Sequence, residues 1–282
     1  MLGSRATRNW LVAVTLGLLL PSAAYAASEP ARSNANSMTI NKYGIVATSQ
    51  TLASQAGAAI LARGGSAVDA AIAANAALGV IEPMMNGMGG DLFAIVWDAK
   101  AKKLYALNAS GWTPKGASIE ALRQKGITKL HDDSIYAVTV PGTVGGWAAL
   151  HQRFGKLSLS EDLQPAIAFA EKGFPVTETD AANWKQYGMP YANRPAFASV
   201  FLPGGKSPEV GQMFSNPDVA ASLRIVAAKG RDGFYQGPIA NAILKLSEEQ
   251  SGFMTAADLA DFKPEWVEPV STTYHGWTVW ET

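Results

Sequence analysis

The sequence predicts a mixed α/β fold of the α+β kind, and three observations carry the prediction. An alanine-rich segment (66–81) with Val68, Ile72, Ala76 and Val80 at helical spacing passes through Glu82-Pro83 and a cluster of glycines into an alternating stretch that reads as a β-hairpin (92–107). The middle of the chain is a succession of helical patterns with start and stop residues at their ends. A last alternating stretch, 270–280, reads as a second hairpin.

Composition narrows what such a fold can do. The 282 residues carry 23 basic and 23 acidic side chains, a formal net charge of +0, which gives no electrostatic reason to expect a nucleic acid or an anionic membrane surface as partner. A hydrophobic content of 48% is ample for a core. No Pro/Ser-rich linker or charge block divides the interior, so residues 41–282 are expected to form one domain.

Taken in order, residues 1–26 read as a signal peptide. Arg5 and Arg8 supply a positive start, 11–20 a short apolar run, and Ala24-Tyr25-Ala26 a small-x-small cleavage site. Export to a periplasmic or extracellular space is the expectation. No membrane anchor is expected, because the apolar run is shorter than the roughly 20 residues a span needs. With no cysteine the chain has no disulfides to draw on there. Residues 27–40 read as a flexible leader.

The fold is then expected to begin with a short strand at 45–48 and a helix over 49–63 stopped by Gly64-Gly65. Ser66, with Asp69 three residues on, reads as the cap of the alanine-rich helix, which has almost no polar face and must be an interior element. Pro83 ends it. The loop Asn86, Gly87, Gly89, Gly90 and Asp91 has two readings, a tight bend needing positive φ or a close backbone approach to a ligand, and spacing alone does not separate them. Beyond the hairpin, 118–125 reads as a helix, 135–140 as a strand, and Pro141-Gly142 as a turn into a helix through Phe154. Ser160 reads as the cap of a helix through Ala170, and 187–211 as a Pro/Gly-rich loop. Pro217 starts a helix ending near Gly230, Asp232-Gly233 marks a turn anchored by Phe234 and Tyr235, and helices at 238–249 and 255–261 precede the last hairpin.

Several of these stretches carry a resemblance to a known family. GGSAVDAAIAANAALGVIEPMMNGMGGDLF (64–93) is similar to the large-subunit signature of the gamma-glutamyltranspeptidases, and the similarity continues through VPGTVGGWAALHQRFG (140–155), LQPAIAFAEKGFPVT (163–177), GRDGFYQGPIANAI (230–243) and the final hairpin. The resemblance implies an N-terminal-nucleophile hydrolase: a four-layer αββα sandwich, made as one precursor that cuts itself to expose a threonine acting as nucleophile and base. That threonine belongs to the C-terminal small subunit of such precursors. The chain is therefore expected to be the N-terminal part of the enzyme, incomplete as a sandwich, without a catalytic residue of its own and with exposed apolar surface and open sheet edges. A small peptide or acyl-amide substrate is implied, and no cofactor.

Other chemistry finds little in the residues. Gly142 to Gly146 has Val144 where a serine elbow would need its nucleophile. Thr272-Thr273-Tyr274-His275 superficially resembles the family's cleavage run, but it sits inside the alternation of a hairpin strand. No metal site is expected: His131, Asp132 and Asp133 are adjacent rather than on one helical face, and His151 and His275 have no acidic or histidine neighbour at ligand spacing.

The informative departure is LNASGWTP (107–114). The family's matching segment carries an arginine that holds the α-carboxylate of a gamma-glutamyl group, and Ser110 stands there instead. A bidentate arginine clamp has no equivalent in serine, and losing one partner of such a pair costs about 2–5 kcal/mol. Asn108 stands where the family often has aspartate, and Trp112 would offer an apolar wall on the same side as Ser110 if the segment is extended. The expected substrate wall is thus Asn108, Ser110 and Trp112 beside the loop 86–91. Gamma-glutamyl specificity is in question, and acylase-like members become candidates. The competing reading is a non-catalytic exported binding or scaffold protein of the same fold.

Overall fold

The computed structural model describes residues 40–131 and 133–282, so the expected signal peptide and almost all of the leader lie outside the described residues, as does Asp132. The element around which the rest is built is helix α2 (Ala67–Ile81). Ser66 Oγ accepts from the Asp69 amide, and the Asp69 carboxylate accepts in return from the Ser66 amide, a complete capping box. Ten of its fifteen residues are buried, from Val68 to Ile81, as an alanine-rich helix without a polar face requires. It packs between α1 (Thr51–Ala62), α4 (Thr143–Phe154) and α5 (Leu159–Lys172). The small side chains let these helices approach closely, and Ile72, Val80, Ile81, Val144, Trp147, Leu163 and Ile167 fill the space between them.

Strands β1 (Leu92–Asp98) and β2 (Lys103–Ala109) form the expected hairpin, with Leu92 opposite Ala109 and Asp98 opposite Lys103. A third strand, β5 (Glu265–Val267), adds antiparallel to the far side of β2. Leu92, Ala94 and Val96 face the helices, whereas Phe93, Ile95 and Trp97 on the opposite face are 56%, 42% and 60% exposed. The expected exposure of apolar surface is met there. The last hairpin, β6 (Val270–Tyr274) and β7 (Trp277–Glu281), is exposed along its length, and His275 and Gly276 both take positive φ in its turn.

The remaining helices match the expected positions at α3 (Ile119–Gln124), α8 (Pro217–Lys229), α10 (Pro238–Glu249) and α11 (Ala256–Asp261). Five expectations need correction. Residues 45–48 form no strand; Val46 packs on Ile60, Leu61, Ala70 and Ala73, and Ile45 is exposed. Residues 135–140 hold a single 3-10 turn (Ile135–Ala137) capped by Ser134. Helix α5 is capped by Ser158, not Ser160, because Ser158 lies three residues before Glu161 and completes a capping box with it. Asp232-Gly233 lies within the short helix α9 (Arg231–Tyr235), although Phe234 and Tyr235 are buried as expected. The stretch 187–211 is not irregular: a π-turn (Trp184–Gly188), a 3-10 turn (Met189–Tyr191) and a helix (Pro195–Phe201) occupy much of it. Pro190 and Pro195 stand in the first turn of two of these pieces, where no amide hydrogen is needed. No helix among the described residues is long and apolar enough to cross a membrane.

Candidate functional site

The loop after α2 is fixed from three sides before it reaches β1. Glu82 caps the helix and its carboxylate accepts from Ser49 Oγ at 2.7 Å. Asn86 Nδ2 donates to the Asn75 carbonyl at 2.9 Å, while Asn75 Oδ1 accepts from Trp147 Nε1 at 2.8 Å. The Gly90 carbonyl accepts from the amides of Gly142 and Thr143, both at 2.9 Å, which satisfies donors at the first turn of α4. Thr143 Oγ1 donates to the Asp91 carbonyl at 3.1 Å.

Asp91 joins this loop to the segment after β2. Its Oδ1 accepts from the Gly111 amide at 2.7 Å. Asn108 Oδ1 accepts from the Ser110 amide at 2.8 Å, so the turn is held by Asn108 and not by the serine hydroxyl. Trp112 accepts at its carbonyl from the Val140 amide (3.0 Å) and meets Phe262 edge-on with ring centroids 5.1 Å apart. The two backbones touch: a Cβ on Gly111 would lie 1.6 Å from the Val140 oxygen, and one on Gly142 1.8 Å from the Ala109 oxygen. Beneath them Tyr235 donates to the Pro141 carbonyl (2.6 Å) and accepts from the Gly145 amide (3.1 Å).

Folding thus brings 86–91 and 108–112 into one wall through the Asp91–Gly111 bond. The loop does bend tightly, the Gly90 amide donating to the Gly87 carbonyl at 3.1 Å, but Gly87, Gly89 and Gly90 all stay outside the positive-φ region that this reading of the glycine loop expected. A Cβ on Gly87 or Gly89 would meet nothing within 4 Å beyond its chain neighbours. Both glycines border an apolar cavity of about 340 Å³ lined also by Val80, Trp147, Leu223 and Phe234. Gly89 borders a second one of about 230 Å³ with Tyr136, Phe253 and Met254. Asn108, Ser110 and Trp112 line neither.

Sequence reasoning missed Thr143 and saw in Tyr235 only a core anchor, because their hydrogen-bonding roles depend on pairings 52 and 90 residues apart. It also left His151 without an acidic neighbour. Folding places Asp69 and Asp162 beside it, with one ligand-capable atom of each residue within 4.8 Å of the others. That cluster lies at the start of α2, about 18 Å along the helix from its glycine-loop end.

A family profile described as Gamma-glutamyltranspeptidase matches residues 53–282. The chain belongs to the gamma-glutamyltranspeptidase family. It is 36% identical over 247 residues to the glutathione hydrolase-like YwrD proenzyme of Bacillus subtilis (strain 168), covering 87% of this chain and 47% of the relative. The chain therefore spans about half the length of the curated relatives it matches. The structure of Helicobacter pylori gamma-glutamyltranspeptidase superposes with a TM-score of 0.80 at 31% identity, over 86% of this chain and 70% of that one. Cephalosporin acylase from Bacillus halodurans superposes with a TM-score of 0.77 at 39% identity, over 88% and 48%. The family's hydrolases and acylases are both represented among these relatives.

Proposed function

We propose that this chain is the N-terminal, large-subunit part of an exported, self-processing amidohydrolase or acyltransferase with the four-layer αββα architecture. Its nucleophile would be a threonine on the C-terminal small subunit of the same precursor. That threonine attacks an amide carbonyl, forms an acyl-enzyme, and passes the acyl group to water or an amine. The relatives' description as proenzymes and the share of their length that this chain matches support the two-part reading. No metal or cofactor is required for this chemistry.

The observation that carries the substrate reading is Ser110 in a wall built by backbone contacts. The segment 108–112 is held to Asp91 and Val140 through main-chain groups, so the family's arginine position can be serine without loss of the wall itself. In this reading the acyl group met by Ser110 is uncharged or large, with Trp112 as its apolar border, and a gamma-glutamyl carboxylate has no clamp there. The matured full-length protein is expected to hydrolyse a neutral acyl anilide in preference to a gamma-glutamyl anilide. Ser110→Arg is expected to raise kcat/KM for the glutamyl substrate at least about tenfold, equivalent to about 1.4 kcal/mol of transition-state binding. Wild-type preference for the glutamyl anilide, with no gain from arginine, would refute the specificity. A full-length precursor that never cleaves itself would instead favour the non-catalytic scaffold.

A further inference from the structure

The cluster formed by Asp69, His151 and Asp162 is not used by the proposed chemistry, and its hydrogen bonding is uneven. Asp69 is fully buried and well supplied: its carboxylate accepts from the amides of Ser66 (2.7 Å), Lys156 (2.9 Å to one oxygen, 3.1 Å to the other) and Leu157 (3.2 Å). Asp162, also fully buried, has no donor for either oxygen when both acids are ionised. His151 does not supply one. Its Nε2 lies 2.7 Å from the Leu157 carbonyl, which can only accept, so this nitrogen carries a hydrogen aimed at Leu157 and stands 4.0 Å from Asp162. The same bond leaves Nε2 no lone pair for a metal ion, and the Asp69 oxygens are already occupied by amides.

We propose that Asp162 is held as a neutral carboxylic acid which donates its hydrogen to the Asp69 carboxylate, so that one buried proton fastens the start of α5 to the start of α2 and to the 156–157 turn. The alternative, two bare carboxylates within 4.8 Å of each other with one pair of oxygens unsolvated and unbonded, is much the costlier arrangement. Burial first, and then the Asp69 charge, push the Asp162 carboxyl up to about 7, with the opposing influence of His151 smaller than either. Glu161, on the same helix, pushes in the same direction as Asp69, and its own exposed carboxylate is paired with Arg63 at the end of α1.

The direction of the pH dependence follows. The unfolded chain releases this proton near 3.8 and the folded chain near 7. Stability from the proton is therefore complete below the lower value, declines as pH rises, and levels off above the upper one. Within that window the folding constant falls by up to about tenfold per pH unit from this group alone.

The test is urea unfolding of the full-length protein from pH 5 to 8, for wild type and Asp162→Asn, whose amide can donate to Asp69 at every pH. The expected result is that the wild type loses up to about a hundredfold in folding constant between pH 5 and 7 relative to the variant, and that the variant is at least as stable at pH 8. Infrared difference spectra of the wild type should show a protonated carboxyl at pH 6 that is lost above pH 8, a readout that does not require the variant to fold. Parallel pH curves for the two proteins, no protonated carboxyl at pH 6, or stabilisation by added Mn²⁺ or Zn²⁺ that Asp162→Asn abolishes would each overturn the proposal.

Discussion

Tyr235 shows how much of the wall rests on single side chains. Its hydroxyl is the hydrogen-bond partner of both the Pro141 carbonyl and the Gly145 amide, on either side of the turn that starts α4. Burial pushes the phenol well above its ordinary range, so it stays neutral and serves as donor and acceptor together. Tyr235→Phe keeps the ring stacked on Phe262 but strands both backbone groups, and is expected to lower unfolding free energy by about 1–3 kcal/mol. A change under about 0.5 kcal/mol in urea unfolding would show that water replaces the hydroxyl. Asp91 is the corresponding residue of the proposed substrate wall. Asp91→Ala removes the acceptor for Gly111, and in the matured enzyme should lower kcat/KM at least about tenfold with little change in Tm, whereas Asp91→Asn, which retains an oxygen, should keep most of the activity. Equal losses in the two variants would mean that the charge matters, not the positioning bond.

Among the elements, the start of α4 is the least tolerant and the glycine loop the most. A Cβ at Gly142 would collide with the Ala109 carbonyl, a backbone atom that has no freedom to turn aside, whereas one at Gly89 would enter open space. Gly142→Ala is therefore expected to give little or no soluble full-length protein. Gly89→Ala should fold with wild-type Tm, and a fall in kcat/KM without a fall in Tm would mark that space as one a substrate enters. This contrast is also where legibility from sequence ends. Capping boxes, the 3.6-residue period and the alternation of 92–98 are local signals, and they located α2, α10 and the first hairpin closely. Ile135, Tyr136 and Val138 favour β structure and point to a strand at 135–140, yet Ser134 caps a 3-10 turn at 135–137 and Val140 bonds only to Trp112. For the site, the glycine loop and 108–112 were legible as pieces through family similarity. The Asp91–Gly111 bond and the Asp69–Asp162 contact join residues 20 and 93 apart, and local patterns carry no information on such pairs.

At the scale of the whole molecule, the three-stranded sheet covers the helices with one face and leaves the other bare. Phe93, Ile95 and Trp97 form an apolar row on that outer face, and the register pairs Phe93 with Asn108, which puts the bare face and the start of the proposed substrate wall on one side. Val270, Tyr274, Trp277 and Val279 form a second exposed apolar row on one face of the last hairpin. Side chains of this size are seldom left together in water, and in the proposed αββα architecture a second sheet from the C-terminal subunit would cover them. Trp97 is 60% exposed, so of the about 150–250 Å² a tryptophan buries about three-fifths is left to cover, and at about 25 cal/mol per Å² this contributes at most about 2–4 kcal/mol. Trp97→Lys should then act in opposite directions in two contexts. In residues 27–282 expressed alone it removes an exposed apolar group from an open face, and soluble yield should rise. In the full-length precursor it places an ammonium against the covering sheet, and self-cleavage should slow or fail with Tm reduced. Gel analysis of maturation together with thermal unfolding decides between the outcomes. Normal cleavage and unchanged Tm in the full-length variant would mean that this face remains in solvent in the complete protein, and the four-layer arrangement would have to be abandoned.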